Sequence, residues 1–480
     1  MTSHTTPSNG RSSLWLASWL MALGALSSLG GCANPSGIAP KATLQDPATL
    51  LTPAVTHSTP EWARSDEWLA FGDAQLARLI ELARENNPSL AVAQNRIEKA
   101  KAYVDSADAA LKPQVNAGFQ MASNNLSDSP VFFGLGGATY NADLAKLGAS
   151  WELNFFGKHQ AALNAALGQT KAAEADWHAA RALLSSQVAR TYWQWVRVRS
   201  QQKLAQSLLL EREEQFKLIQ QRTAAGLDTQ LELRQAQAGV PEVRGQIEAL
   251  AEQADTLQHA LGALVGNLNA VSHLQDPSTA LMNLQVGAVP DEVPLDLIGR
   301  RPEVLAAKWR VEAMSQDAAS ARAAFYPNIN LSFNAVALSM GFGEIFKSPG
   351  VLYGGGPAIS LPLFDAGRLR ANLRAKTADV DAAVNSYNGV VLDAVREVAD
   401  LVSTGQSLVK QQVQQKATLE SALASQQIAQ QRFDAGLITA FPLLAANSNV
   451  LAQERLAVDL QARVLDNRAA LWRALGAGGW

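Results

Sequence analysis

The residues able to carry covalent or metal chemistry are few and scattered. The six histidines, His4, His57, His159, His178, His259 and His273, show no spacing that would hold a metal. Gly134-Leu135-Gly136-Gly137 and Gly354-Gly355-Gly356 lack a following Lys-Ser/Thr, so they are not phosphate loops and read as loops between strands or as strand ends. No Gly-x-Ser-x-Gly elbow is present to present a serine nucleophile. Trp193 and Trp195 read as packing residues. No cofactor, metal or catalytic residue is expected, and an enzyme is the least favoured class. The one residue set apart is Cys32, the only thiol of the chain, which excludes an intrachain disulfide.

Position gives Cys32 its chemistry. Arg11 precedes an apolar run over 14–26, a short core behind a positive charge, as in a secretory signal. The run ends in Leu29-Gly30-Gly31-Cys32, which resembles the bacterial lipobox. Cleavage before the cysteine would leave a thiol to carry diacylglycerol, and the two small glycines give a peptidase access to the backbone. Ala33 stands where an inner-membrane retention signal has Asp, which favours the outer membrane. Residues 1–31 are then a signal, and 32–66, rich in Pro, Ser, Thr and Ala, a lipid-anchored extended segment. The net charge of −3 gives no nucleic-acid footprint. Charged residues make up 17% against the usual value of about 25%, yet beyond the leader no apolar run reaches the roughly 20 residues of a membrane-spanning helix. A mature chain that crosses a bilayer must therefore cross it as a barrel.

The elements that follow come twice. Arg222-Thr223-Ala224-Ala225-Gly226-Leu227-Asp228-Thr229 aligns with Arg432-Phe433-Asp434-Ala435-Gly436-Leu437-Ile438-Thr439 at an offset of 210. Gly157 falls on Gly367 and Val188-Ala189 on Val398-Ala399 at that offset; Pro88 meets Pro302 and Pro113 meets Pro327 at 214. Two repeats follow, 67–298 and 299–480, each with the same order. A proline-opened helix comes first, over 88–111 and 302–325. Two strands come next, then a 66-residue proline-free segment, 157–222 and 367–432, which as helix would run roughly 100 Å. Gly226 and Gly436 suit left-handed helix caps. A returning helix covers about 230–266, broken by Pro241, and about 443–475, its start delayed by Pro442.

Strand signals are period-two runs: 114–121, 146–155, 328–335 and, more weakly, 356–363, with Ile359, Leu361 and Leu363 on one side. Four strands cannot close a barrel, and an open edge in lipid would strand its backbone donors. Several chains must share one barrel; two copies would give eight strands and three would give twelve, and the pattern leaves both open.

The chain resembles a TolC/OprM-type outer-membrane efflux protein, in the lipoprotein branch serving resistance-nodulation-division (RND) pumps. The resemblance rests on Trp151-Glu152-Leu153-Asn154-Phe155-Phe156-Gly157-Lys158, Gly299-Arg300-Arg301-Pro302-Glu303-Val304, Ala323-Ala324-Phe325-Tyr326-Pro327-Asn328-Ile329, Leu361-Pro362-Leu363-Phe364-Asp365-Ala366-Gly367-Arg368 and the final Leu471-Trp472-Arg473-Ala474-Leu475-Gly476-Ala477-Gly478-Gly479-Trp480, in that order. It implies a mainly α fold with a β-barrel part: a homotrimer whose 12-stranded outer-membrane barrel, four strands per chain, continues into a long periplasmic α-helical barrel. It implies a passive exit duct for small toxic solutes, with a periplasmic adaptor, an inner-membrane RND pump and outer-membrane lipid as partners. The adaptor would meet the two tip turns, Gly226-Leu227-Asp228-Thr229 and Gly436-Leu437-Ile438-Thr439. Many relatives carry an Asp six residues after each tip glycine; here Glu232 and Pro442 stand there, and Ala445 replaces a further Asp. Glu232, Arg432 and Asp434 are the remaining gate candidates, with solvated helix-end charges as the competing reading. A type I protein-secretion outlet and a pore-less coiled-coil lipoprotein are the alternative functions.

Overall fold

In the computed structural model the described residues are 34–45, 71–125, 139–275, 299–339, 347 and 350–476. The leader, Leu29-Gly30-Gly31-Cys32 and Gly134-Leu135-Gly136-Gly137 lie outside them. The chain is mainly helical with one small sheet. In order it forms α1 (Ala74–Asn86), α2 (Pro88–Ala109), β1 (Gln114–Asn125), β2 (Thr139–Leu153), α3 (Lys158–Ala224), α4 (Gln230–Val265), a 3-10 turn (Leu268–Val271), α5 (Pro302–Ala323), β3 (Asn328–Ser339), β4 (Gly350–Ser360), α6 (Arg368–Asp434) and α7 (Ala440–Ala474). Helices α3 and α6 are 67 residues each, so both proline-free segments fold as single helices. The described residues pack as two compact units: those up to Leu44 with those within Ile97–Ala172 and Ala307–Tyr387, and those within Gln45–Arg96 with those within Ala173–Ala306 and Asn388–Trp480.

The first unit holds the sheet, antiparallel throughout in the order β1-β2-β3-β4. The pairing aligns alternating side chains into two faces. One carries Val115, Phe119, Met121, Leu147, Trp151, Leu331, Phe333, Tyr353 and Ile359, all of them exposed. The other carries Gln114, Asn116, Gln120, Lys146, Ser150, Glu152, Asn330, Ser332 and Asn334, with Leu144, Val336, Leu338 and Leu352 nearer the loop ends. Strand β4 lies earlier than its sequence pattern indicates: it ends at Ser360, and Leu361 and Leu363 lie beyond it. Gly354-Gly355-Gly356 is accordingly no loop but the centre of β4, paired with Asn334, Phe333 and Ser332. A Cβ at Gly355 would stand 2.6 Å from the Ser332 carbonyl oxygen, so the glycine admits a close backbone approach.

Below the sheet, Gly168 of α3 lies against α5, where a Cβ would meet that of Ala313 at 3.0 Å. Lys171 covers the Trp309 ring at 4.1 Å and Lys376 pairs with Asp317 at 2.5 Å. The N-terminal segment crosses this unit as a strap. Ile38 packs with Phe325, Leu369 and Leu373; the Arg370 guanidinium donates to the Asn34 carbonyl. Backbone N–H groups of Lys41 and Ala42 donate to Asp381 Oδ1 at 2.7 and 2.8 Å. The Ala42 and Lys41 donors hold the Asp381 carboxyl below the usual carboxylate range.

The second unit has the larger core. Leu76 and Ile80 of α1, Tyr192, Trp193 and Val196 of α3, Leu261 of α4 and Leu465 and Trp472 of α7 are buried together. Trp193 and Trp195 are 1% and 3% exposed, which fixes them as packing residues. Tyr192 donates to Asp73 Oδ2 at 2.7 Å, while Oδ1 of the same carboxylate caps α1 at Leu76. Burial and the Asp73 charge push the Tyr192 phenol well above its ordinary range. The buried Arg301 guanidinium donates to Glu303, to Glu397 and to the Ala394 carbonyl, and Arg473 binds the same Glu397. A buried charge of this kind is tolerable only with such full pairing.

Two proline readings need correction. Helix α4 passes through Pro241 without a break. Pro241 is exposed, so water can take the freed carbonyl, and Val243, Ala254 and Leu261 continue one buried face beyond it. Helix α7 starts at Ala440, not late: Pro442 is its third residue, where an N–H has no intrahelical acceptor to lose.

Candidate functional site

The two helix-to-helix turns share one backbone design. At the first, Leu227 N donates to the Arg222 carbonyl at 2.9 Å and Gly226 N to that of Thr223 at 3.0 Å. At the second, Leu437 N reaches Arg432 and Gly436 N reaches Phe433, both at 2.8 Å. This double closure needs a left-handed residue, and φ is +77° at Gly226 and +69° at Gly436. Each turn exposes a leucine, Leu227 and Leu437.

Side chains separate them. In the first turn Arg222 forks onto Asp228, Nε to Oδ2 at 2.8 Å and Nη2 to Oδ1 at 3.0 Å. The Asp228 hydrogen bond and charge raise the Arg222 pKa further. Thr229 and Glu232 then form a capping box: Thr229 Oγ1 accepts from Glu232 N at 3.3 Å, and Glu232 Oε2 accepts from Thr229 N at 2.6 Å. In the second turn Ile438 takes the place of Asp228, so Arg432 has no carboxylate partner among the described residues. Thr439 makes no side-chain cap bond. The cause is Pro442, which occupies the position of Glu232 and supplies neither the N–H nor the carboxylate of a box. Asp434 accepts from Gln430 at 2.8 Å.

The gate candidates are thus placed differently. Glu232 is turned back on the start of its own helix, Asp434 is bonded within α6, and Arg432 stands exposed. Ala445 lines a groove of about 250 Å3 with Arg212, Gln235, Gly239, Phe441 and Leu444, where Arg212 also donates to Ser448 Oγ at 2.7 Å. The Arg222–Asp228 fork escaped sequence reading because its partners stand six apart across a turn, outside the helical spacings that announce ion pairs. The described residues hold no group of His, Cys, Asp and Glu arranged for a metal. No described helix is long and apolar enough to cross a membrane.

The family profile described as Outer membrane efflux protein matches residues 79–267 and 293–477. The chain is similar to the multidrug resistance outer membrane protein MdtQ of Escherichia coli O6:H1, 31% identical over 432 residues that cover 87% of this chain and 88% of that one. It is 31% identical over 418 residues to the outer membrane protein OprJ of Pseudomonas aeruginosa, covering 86% of each. Among solved structures, the outer membrane protein VceC of Vibrio cholerae superposes with a TM-score of 0.77 at 30% identity, over 86% of this chain and 98% of that one. A matched family profile over most of the length, the relatives' coverage and the shared fold lead to one assignment: the chain belongs to the outer membrane efflux protein family.

Proposed function

We propose that this outer-membrane protein is the exit duct of a tripartite efflux pump. It passes small toxic solutes outward from an inner-membrane RND transporter through a periplasmic adaptor and catalyses no reaction. Three copies pool their sheets into one 12-stranded barrel. The observation that carries this is the sheet itself: β1 and β4 are its outer strands, one face carries the exposed aromatic and large apolar side chains, and the other carries most of the polar ones. In lipid the apolar face meets acyl chains and the polar face lines water, and only pairing between copies satisfies the two open edges.

The remaining parts follow from that duct. Residues 1–31 are a signal, Cys32 carries the lipid, and 67–298 and 299–480 are two repeats of one architecture. The turns at Gly226–Thr229 and Gly436–Thr439 meet the adaptor, and Glu232, Arg432 and Asp434 lie at the periplasmic gate. The chain's similarity to proteins named for multidrug resistance supports drug-like cargo. The test is ion conductance of the purified protein in a planar bilayer, with drug susceptibility of a producing strain beside it. Conductance together with raised resistance is expected; a protein that never conducts is no duct. Cys32→Ser should abolish palmitate labelling, and retained label would remove the lipoprotein reading.

A further inference from the structure

We propose that Lys146 is a selectivity residue: three copies of it form a cationic ring on the water-facing wall of the barrel, and Gly118 is its seat. The proposal rests on the duct reading above, which supplies the three copies and the water on that face.

The position of Lys146 is built. An added Cβ at Gly118 would meet Lys146 Cε at 3.0 Å, Cγ at 3.3 Å and Cδ at 3.8 Å, so the lysine stem lies flat across β1 where any other residue would crowd it. The same device recurs one register row away, where Asn334 lies over Gly148 with Oδ1 3.1 Å from an added Cβ. Register then sets the surroundings. Lys146 shares its row with Gly118, Val336 and Leu352, and the next row toward the strand ends that lead into the loops carries Leu144 and Leu338 beside Gln120. Toward the helices the rows are polar. The ammonium therefore stands where apolar side chains enter the polar wall, and apolar neighbours screen a charge less than water does.

Among the described residues Lys146 has no acidic partner. Among the described strand residues the other charged side chain on this face is Glu152, engaged by Lys158 at 2.9 Å and beside His159 at 3.0 Å. Three unopposed ammonium groups around one lumen raise the local concentration of anions and lower that of cations. The cargo class favoured at this point is anionic or carries an exposed carboxylate, sulfonate or phosphate.

The test uses the full-length protein in planar bilayers across a potassium chloride gradient, with chloride and potassium as probes. Lys146→Glu should cut the chloride-to-potassium permeability ratio severalfold, Lys146→Gln should cut it less, and Lys146→Arg should hold it near the original value. Gly118→Val should lower the ratio partway by unseating the stem. Each effect should fade at high salt, where the Debye length shrinks to about 3 Å at 1 M. Light scattering on each variant establishes that the assembly is unchanged. A conducting Lys146→Glu protein with an unaltered ratio overturns the ring and leaves the duct standing. A wild-type protein with no conductance overturns the duct, and the ring with it.

Discussion

The two tip turns have the same backbone and unlike side chains. Both close by the same pair of hydrogen bonds around a left-handed glycine. The first is then sewn shut three times over, by the Arg222–Asp228 fork and by both halves of the Thr229–Glu232 box. The second has none of these, because Ile438 and Pro442 remove the carboxylates and one of the N–H groups they would need. A repeat can therefore preserve a turn's geometry while two substitutions change how firmly the adjoining helix start is held. Of the two, the first turn is held by side chains as well as backbone and the second by backbone alone.

The largest effects should come from the shared element. Valine at Gly226 or Gly436 forces a β-branched side chain into positive φ, at a cost of roughly 1–2 kcal/mol or more per turn. Export, read as drug susceptibility, should fall sharply for each, with the assembly's mass unchanged. Full export from both variants would mean that neither turn contacts the adaptor.

Next comes a transplant. Ile438→Asp with Pro442→Glu gives Arg432 a carboxylate and Thr439 its missing N–H, and should slow amide exchange at Leu437 by an amount corresponding to about 1 kcal/mol. Export should drop despite the added stability. Unchanged export would make the looseness of the second turn incidental.

The capping threonines give a cleaner contrast at smaller size. Thr229→Ala should loosen the start of α4 by about 1 kcal/mol, whereas Thr439→Ala should leave α7 unchanged, since it has no cap bond to lose. Equal responses in hydrogen exchange would contradict the assigned geometry.

The smallest effect belongs to the fork. Asp228→Ala should speed exchange at Leu227 modestly, and added salt should narrow the gap to wild type because Arg222, the more exposed partner of the pair, is screened. The Arg222 pKa is raised, so its contribution is fully present below the ordinary guanidinium value and is lost only as pH rises through the higher folded one. Moderately alkaline buffer should leave the fork intact.

These contrasts mark what a sequence reveals. Strands β1 to β3 were legible because alternating side chains report a face at every second residue. Strand β4 was displaced because Gly354-Gly355-Gly356 has no side chains to alternate; its register comes from the close approach of Gly355 to Ser332 and Phe333. The long helices and their glycine caps followed from proline spacing and the repeat. Prolines misled where context decided: Pro241 is tolerated on an exposed face, and Pro442 lies in a first turn that has no bond to break. At the candidate site the turn residues were visible as a repeated motif, and Thr229-x-x-Glu232 carries the capping-box spacing that a sequence does show, but the fork and the Lys146 seat depend on where side chains meet after folding. Pairwise spacing does not encode that.

The central claim is that several copies share one barrel. The most direct measurement is the mass of the detergent-extracted protein by light scattering, corrected for bound detergent. The account predicts the mass of three chains. A monomer would leave four strands with open edges in lipid and would contradict the shared barrel and the duct built on it; a dimer would pool eight strands and contradict the twelve-stranded barrel.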